Sequence, residues 1–266
     1  MFWALAEGHI DTGDRRYVHE LADIETLNRR ALRGELDVTA VSLHAFAHLA
    51  DRYALLAHGA SVGDRYGPRL VAPAPTPRDP RTALAGRTVA VPGELTTAFL
   101  ALRLYQPAVR HVVIPFDRIE DEVLAGGADV GLVIHEGQLT YGARGLSLWA
   151  DLGEWWGRET GLPLPLGANA VRRDLGETLI GHIAGDLKGS IAYGLAHRGE
   201  ALAHARRYGR GLDEANTDRF VGMYVNDYTV DLGARGRRAV AELLARGSAA
   251  GLLPRVPTLS FVTASS

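Results

Sequence analysis

The amino-acid sequence predicts an α/β protein built from two similar lobes, each with a mainly parallel sheet. Two observations predict this fold class. The pattern L-x-G-x-x-D-V occurs twice, as "LRGELDV" at residues 32–38 and as "LAGGADV" at residues 124–130. Each copy joins an amphipathic helix pattern to a short run of β-forming residues, which is typical of a strand buried on both faces. Helices that alternate with buried strands favour an α/β architecture.

The first copy predicts a helix, a glycine stop and a strand. The helix begins after Asp23, a favourable N-cap residue, and carries Leu27 and Ala31 at helical spacing. Gly34 fits the left-handed position that ends many helices. The β-rich run "VTAVS" follows and ends at Ser42.

The second copy predicts the same order of elements. Asp117 and Glu120 resemble a capping box at the start of a helix, and Gly126 fits its end. The strand "VGLVIH" then ends at His135. Because ligands of such sheets bind beyond the carboxyl ends of the strands, we expect Ser42 and His135 to face one cleft between the lobes.

Two stretches mark the chain crossings between the lobes. Residues 72–87 are rich in proline and lack apolar periodicity, and residues 160–174 contain a second group of prolines and glycines. The sequence therefore predicts a discontinuous first lobe, residues 1–84 plus 167–266, with a second lobe, residues 85–166, inserted into it. Hinge bending around a ligand is the expected motion of this arrangement.

Composition narrows the class of ligand. The chain has 266 residues, 47% of them hydrophobic, a formal net charge of -2 and no cysteine. Neither charge sign is in large excess, so the sequence predicts a small-molecule partner and neither a nucleic acid nor a membrane. It contains no P-loop, no dinucleotide fingerprint and no thiolate metal site, so we expect no cofactor. Its first residues do not resemble a signal peptide, which predicts a cytoplasmic protein.

Thr96 and Thr97 are candidate ligand residues. They stand where the strand "RTVAVPG" gives way to a helix with apolar periodicity. Backbone amides and a hydroxyl at a helix start suit a carboxylate or a phosphate. The alternative is that one threonine is only an N-cap, which is a far more common use of this residue.

His135 is the candidate catalytic residue. It directly follows a buried strand and precedes a glycine-containing loop. Histidine is the side chain best suited to remove a proton at neutral pH. Glu136 is adjacent, but neighbouring residues of a strand point to opposite faces, so the pair need not form a dyad. A histidine held by one structural hydrogen bond is the alternative.

Two other patterns have a structural explanation that is more common than the functional one. His44 and His48 have the spacing of a zinc pair, but the H-E-x-x-H pattern and a third ligand are missing. Hydrogen-bonded histidines are the more frequent outcome. Trp155 and Trp156 could line a ring-binding wall, although packing between elements is the more frequent use of paired tryptophans.

A family resemblance is carried by five segments: "ETLNRRALRGELDVTAVS", "RTVAVPGELTTAFL", "GLVIHEGQLTY", "DLGEWWGRETGLPLPLGANAVRRDLG" and "YVNDYTVDLG". Together they closely resemble the 1,4-dihydroxy-6-naphthoate synthase family, lyases of the futalosine route to menaquinone. The resemblance implies a periplasmic-binding-protein-like fold of type II, with two lobes and a cleft. It also implies that cyclic dehypoxanthine futalosine is split into 1,4-dihydroxy-6-naphthoate and a dihydroxyacetone fragment, without metal or nucleotide.

The resemblance also implies roles for individual residues. His135 stands at the position of the family's general base, and Thr96 and Thr97 stand at its paired threonines, which would hold the substrate carboxylate. The family's Lys-Leu-Ser ligand segment corresponds to residues 40–42, so Val41 and Ser42 are candidate substrate contacts. Ala40 replaces the lysine, and any charge contact of that lysine is lost.

One departure and several alternatives remain at the level of sequence. Family members begin with a strand and a Ser-Pro-Cys-Pro-Asn-Asp-Thr loop, whereas this chain begins inside the following helix, so we expect an upstream start or a weakly stable, poorly active form. The alternatives are a solute-binding protein, an effector-binding domain of the same fold, and the sibling enzyme chorismate dehydratase. The His135 strand end and the threonine pair favour the naphthoate synthase.

Overall fold

The structure is a computed structural model that describes residues 1–207 and 214–264. Its strands form two separate sheets of five strands each. In chain order the strands are β1 Val38–Ser42, β2 Tyr53–Leu56, β3 Ser61–Gly63, β4 Arg69–Ala72, β5 Thr88–Val91, β6 Arg110–Val113, β7 Val130–Val133, β8 Ser147–Asp151, β9 Leu164–Arg172 and β10 Phe261–Val262.

The first sheet is organised around the long strand β9. Its order is β1-β9-β2-β10, and β3 pairs with the beginning of β9. β9 runs antiparallel to β1, β2 and β3, while β10 is parallel to β2, so four strands share one direction. β1 lies at an edge and pairs along its whole length, from Val38 opposite Val171 to Ser42 opposite Gly167.

The second sheet has the order β6-β5-β7-β4-β8. β5 pairs in parallel with β6 and β7, and β4 runs antiparallel to its neighbours β7 and β8. Each sheet thus has one strand that opposes the direction of the others. The carboxyl ends of β5 and β7 lie at the same end of the sheet, because the two strands are parallel neighbours.

Helices cover both sheets. The α-helices are α1 Trp3–Ala6, α2 Ile24–Arg33, α3 Leu43–Phe46, α4 Pro80–Ala83, α5 Thr97–Tyr105, α6 Ile119–Leu124, α7 Gly137–Thr140, α8 Leu152–Thr160, α9 Glu177–Ala196, α10 Arg198–Arg206, α11 Glu214–Tyr224, α12 Asp227–Val230 and α13 Gly233–Ala249. Short 3-10 turns lie at Phe116–Arg118, Tyr141–Arg144 and Arg173–Leu175.

The largest hydrophobic core includes residues of both sheets. Val41 and Leu55 from the first sheet belong to the same cluster of buried side chains as Val89 and Leu132 from the second. A smaller core lies where α9 packs on β2 and β9, and a third where α6 packs on β4, β5 and β7. The shared cluster holds the two sheets together and fixes the loops at their edges.

The first predicted helix-glycine-strand unit is confirmed. Asp23 is the N-cap of α2 and accepts a hydrogen bond from the amide of Thr26, and Gly34 ends the helix with φ of 75°. β1 ends at Ser42, as the sequence predicts. Local capping and periodicity were sufficient for this unit, because its signals lie within twenty residues of one another.

The second unit is confirmed except at its start and at the end of its strand, which lies at Val133, two residues before the predicted His135. The helix and the strand are present, and Gly126 has φ of 79°. The capping box predicted for Asp117 and Glu120 is wrong. A 3-10 turn over Phe116–Arg118 precedes the helix, and the N-cap is Arg118, which makes no side-chain capping hydrogen bond.

The predicted lobe boundaries stay predictions, but strand pairing shows to which sheet the strands near them belong. β4, residues 69–72, pairs within the second sheet, although the sequence places residues 1–84 in the first lobe. β9 is the strand that brings the chain back into the first sheet, starting at Leu164. The chain therefore enters the second sheet ahead of the proline-rich stretch.

The first turn of α8 packs directly on the turn before β4. The amide of Leu152 donates to the carbonyl of Pro68 at 2.9 Å, and a Cβ on Gly153 would lie 2.0 Å from the carbonyl oxygen of Tyr66. Gly157, in the same helix, has room for a methyl group, since its Cβ would lie 3.9 Å from the nearest carbonyl oxygen, an ordinary contact distance. Backbone contact at Gly153 thus fixes the position of α8.

We predict opposite effects for alanine at these two glycines. Gly153→Ala should lower the free energy of unfolding by at least about 2 kcal/mol, because a backbone carbonyl cannot yield to the added methyl group. Gly157→Ala, the matched control, should raise it by about 0.5 kcal/mol through helix propensity. Chemical denaturation of both variants measures this. Equal effects at the two positions would contradict the packing described for α8.

Candidate functional site

Ser42, at the end of β1, is held by Asn28 of α2. The Asn28 side chain accepts a hydrogen bond from the Ser42 amide at 2.9 Å and donates one to the Ser42 hydroxyl at 3.1 Å. Asn28 is fully buried, so both of these bonds form away from solvent. The end of β1 is therefore fixed in both its backbone and its side chain.

Helix α2 also makes hydrogen bonds to the loop that follows β5 in the second sheet. Asn28 donates to the carbonyl of Leu95 at 3.4 Å, and the carboxylate of Glu25 accepts from the Leu95 amide at 3.2 Å. Burial raises the pKa of Glu25. Gly93 permits this approach, since a Cβ there would lie 2.4 Å from the Glu25 carboxylate. α2 thus connects the two sheets at the edge where the predicted cleft lies.

Thr97, the first residue of α5, makes a third connection. Its hydroxyl accepts hydrogen bonds from the amides of Leu43 at 2.8 Å and His44 at 3.3 Å. It donates to the carbonyl of Leu166, in β9, at 2.5 Å. The hydroxyl is fully used by the protein here, so Thr97 joins β9 and the segment after β1 to α5.

Thr96 is the N-cap of α5. Its hydroxyl accepts from the amide of Phe99 at 3.1 Å and donates to the carbonyl of Gly93 at 2.8 Å. The Thr96 hydroxyl is therefore an N-cap, which was the alternative to ligand binding for this pair. The cap uses the Phe99 amide, so the amides of Thr97 and Ala98, which have no acceptor within the helix, are the candidates to hold an anion.

Val41 and Ala40 lie within the first sheet. Val41 is fully buried in the main core and pairs with Ala168 of β9. Ala40 pairs with Asn169. Since the Val41 side chain is part of the core, any contact of Val41 with a substrate would come from its backbone.

His44 is a structural histidine. It is buried, and its Nδ1 lies 3.2 Å from the carbonyl oxygen of Thr96. Because a carbonyl oxygen only accepts hydrogen bonds, the neutral ring carries its hydrogen on Nδ1 and donates it to Thr96. Burial lowers the pKa of His44 to about 4. His48 lies 6.0 Å away between ring centroids. Within residues 1–207 and 214–264 no group of three or more potential ligands could hold a metal ion.

The paired tryptophans also pack as structural residues. Trp156 is fully buried, and its indole N–H donates to the carbonyl of Pro163 at 3.0 Å. Trp155 packs edge-on against Tyr105, with ring centroids 5.2 Å apart. The more common of the two uses weighed for this pair is therefore the one observed.

His135 follows β7 in an unusual backbone conformation. β7 ends at Val133, and His135 has φ of 52°, a left-handed value that residues with a Cβ rarely adopt. Its half-buried ring packs edge-on against Phe116, with centroids 4.8 Å apart, and near Phe220 at 6.3 Å. Contact with these two apolar rings limits the positions open to the imidazole.

A buried polar network lies next to His135. Gln138 is 1% exposed, and its amide donates to the carbonyl of His135 at 3.2 Å. Its side-chain oxygen accepts from the hydroxyl of Tyr224 at 2.6 Å, and its carbonyl accepts from Arg69. Burial raises the pKa of Tyr224. Arg69 is paired in turn with Asp151 at 3.1 Å.

The predicted site residues thus fall into two groups. Ser42, Thr96 and Thr97 lie in one group of contacts around α2 and the start of α5. His135 lies in a second group, in which its ring contacts Phe116 and Phe220 and its carbonyl accepts from Gln138. That one ligand bridges the two groups stays a prediction.

Sequence reasoning missed three residues of this region: Asn28, Gln138 and Tyr224. Each is a polar residue whose role depends on a partner far along the chain, and Asn28 lies inside a helix that local signals already explain. Gln138 and Tyr224 lie within two segments that carry the family resemblance, "GLVIHEGQLTY" and "YVNDYTVDLG". Position in those segments was the one available signal.

Comparisons with known proteins agree with this architecture. A family model described as menaquinone biosynthesis matches residues 1–249. The chain is 43% identical over 262 residues to the 1,4-dihydroxy-6-naphthoate synthase of Thermus thermophilus, and the match covers 98% of this chain and 94% of the relative. The similarity therefore extends over nearly the full length of both proteins.

Two solved structures show the fold. A protein of Archaeoglobus fulgidus is 44% identical, with a TM-score of 0.89 over 94% of this chain and 92% of that one. A Candida albicans gene product with the generic periplasmic binding protein fold has a TM-score of 0.69 at 13% identity, covering 100% of this chain and 93% of that one. The fold class predicted from the sequence is confirmed.

None of the helices in the described ranges has the length and apolar character needed to span a bilayer.

The buried His44 predicts a pH dependence of stability. Because its pKa is lowered from 6.5 to about 4, the unfolded chain binds a proton in this range that the folded chain does not. The stabilising contribution is complete above pH 6.5 and is lost as the pH falls toward 4. Between pH 7 and pH 5 the loss should be about 2 kcal/mol.

Replacing His44 by glutamine should remove this component, since glutamine keeps a donor for the Thr96 carbonyl but does not titrate. Urea unfolding at pH 7 and pH 5 should therefore show a smaller pH effect in His44→Gln than in the wild type. Burial also lowers the pKa of His48, which the variant retains, so part of the pH effect should remain. Equal pH effects in the two proteins would contradict a neutral, buried His44.

Proposed function

This chain belongs to the menaquinone biosynthesis family and is an enzyme of that pathway, and we propose that it is a 1,4-dihydroxy-6-naphthoate synthase. In this proposal the substrate is cyclic dehypoxanthine futalosine. The enzyme is a carbon-carbon lyase that releases 1,4-dihydroxy-6-naphthoate and dihydroxyacetone. The observation that carries the proposal is His135, a histidine held in a left-handed conformation two residues beyond the end of β7 in a chain of this family.

His135 is the proposed general base. Histidine changes protonation state near neutral pH, so it can both accept a proton and return it. Backbone strain at a residue with a Cβ is typical of functional positions, where the surrounding structure must maintain it. Phe116 and Phe220 would keep the imidazole in one orientation and reduce its contact with water.

The proposed reaction starts with removal of a carbon-bound proton from the cyclic substrate by His135. The electron pair left on carbon drives cleavage of the bond to the three-carbon fragment, and aromatisation of the naphthalene supplies the driving force. The proton held by the imidazole is then available for return to the departing fragment. Every step uses protein side chains and substrate atoms alone.

The group around α2 and α5 is the proposed substrate-binding region. The amides of Thr97 and Ala98 at the start of α5 would bind the substrate carboxylate, supported by the helix dipole. The Ser42 hydroxyl accepts from Asn28, so its own hydrogen can be donated to a substrate oxygen. Val41 would contribute backbone groups, and Thr96 would hold the helix start in place through its cap.

We predict that His135→Asn abolishes most of the activity. With cyclic dehypoxanthine futalosine as substrate, formation of naphthoate followed by mass spectrometry should fall about 10²- to 10⁴-fold in kcat, the usual contribution of a general base. KM should change little, since asparagine preserves much of the shape of the side chain.

His111→Asn is the matched control. His111 is also half-buried and also packs on a phenylalanine, Phe99, with ring centroids 4.6 Å apart. It should retain wild-type turnover. Wild-type kcat in His135→Asn would remove the proposed base, and absence of product from the wild-type protein, despite binding of the substrate, would identify a binding protein.

A further inference from the structure

The segment that carries His135 is held by side chains from three other parts of the fold. We propose that Gln138 and Tyr224 are positioning residues, which fix the backbone and ring of His135 in the geometry needed for proton removal. This inference rests on the proposed function, because it assigns residues to the same site. Neither residue is proposed to contact the substrate.

Gln138 is the centre of the network. It is almost completely buried and uses three of its groups: the amide donates to His135 at 3.2 Å, the carbonyl accepts from Arg69, and the side-chain oxygen accepts from Tyr224 at 2.6 Å. The first of these bonds closes the turn that contains the left-handed residue. A shift of Gln138 would therefore be transmitted directly to the backbone of His135.

Arg69 anchors Gln138 to the second sheet. It lies at the start of β4, opposite Val133 at the end of β7, and its guanidinium pairs with Asp151 at 3.1 Å. Asp151 also accepts from the amides of Gly153 and Glu154 at the start of α8. Burial raises the pKa of Asp151, but Arg69 and the two amides oppose this by stabilising its carboxylate. The anchor is therefore part of the sheet framework.

Tyr224 connects Gln138 to α11. Phe220 and Tyr224 are four residues apart and share one face of this helix. Phe220 lies near the His135 ring, and the Tyr224 ring packs 5.3 Å from Phe220 and 5.8 Å from Tyr66. One face of α11 thus contacts the imidazole of His135 through Phe220, and it supports the backbone of His135 through Tyr224 and Gln138.

The end of α11 is attached to the first sheet. Asn226, just beyond the helix, donates to the carbonyl of Val62 in β3 at 3.1 Å and to that of Met223 at 3.0 Å. The Tyr66 hydroxyl also donates to the Met223 carbonyl. His135 is therefore positioned by contacts that reach both sheets. A left-handed residue with a Cβ persists only when its surroundings fix it in this way.

A double-mutant cycle tests this inference. Tyr224→Phe removes the hydroxyl but keeps the ring, and Gln138→Leu removes the acceptor but fills a similar volume. Each should lower kcat about tenfold with KM changed less than about threefold, since small displacements of a base affect the chemical step. The double variant should also lose about tenfold, because both changes break the same connection.

Tyr53→Phe is the matched control. Tyr53 is buried and its hydroxyl also donates a hydrogen bond at 2.6 Å, to the carbonyl of Leu36, but it lies at the start of β2. This variant should have wild-type kcat. Wild-type kcat in Tyr224→Phe, or a roughly hundredfold loss in the double variant, would overturn the inference.

A second measurement separates this inference from the proposed function. Histidine ring signals of the ligand-free protein can be followed by NMR, with His135 assigned by its loss in His135→Asn. Tyr224→Phe and Gln138→Leu should both shift the His135 signal, and Tyr53→Phe should leave it in place. If the wild type forms no naphthoate, the proposed function fails but a shifted signal still supports the positioning network. An unmoved signal would overturn it regardless of activity.

Discussion

The hydrogen bonds of Asn28 are the interaction on which the candidate site depends. One buried side chain holds the end of β1 through Ser42 and reaches the loop before α5 through Leu95. A buried amide needs its partners, because unpaired polar groups are costly away from water. The two sheets therefore meet in a defined way at this edge, and the hydroxyl of Thr97 reinforces the same junction.

The elements that the sequence predicts correctly are those set by local signals. Asp23 and Gly34 bound α2 because capping depends on residues within one helical turn. The same logic fails at Asp117, where a 3-10 turn uses the residues that would form the cap. The place of β4 in the second sheet was not predictable in this way, because strand pairing joins residues far apart in the chain.

The candidate site was predictable in part. The position of His135 after a buried strand is a local pattern, but its left-handed backbone depends on Gln138 and on partners such as Tyr224, which lies 86 positions beyond Gln138. Thr96 and Thr97 were identified as a pair, and only the structure separates a cap from a link between sheets. Fold alone does not define function, and this fold is shared with a protein only 13% identical. The catalytic assignment therefore depends on the family together with the geometry of His135.

The proposed function requires one ligand to contact both groups of residues, the start of α5 and the segment that follows β7. A crystal structure with 1,4-dihydroxy-6-naphthoate bound tests this. We expect the carboxylate at the backbone amides of Thr97 and Ala98 and the naphthalene ring beside the imidazole of His135. A ligand that contacts α5 but leaves His135 beyond the reach of a hydrogen bond or a single bridging water would contradict it.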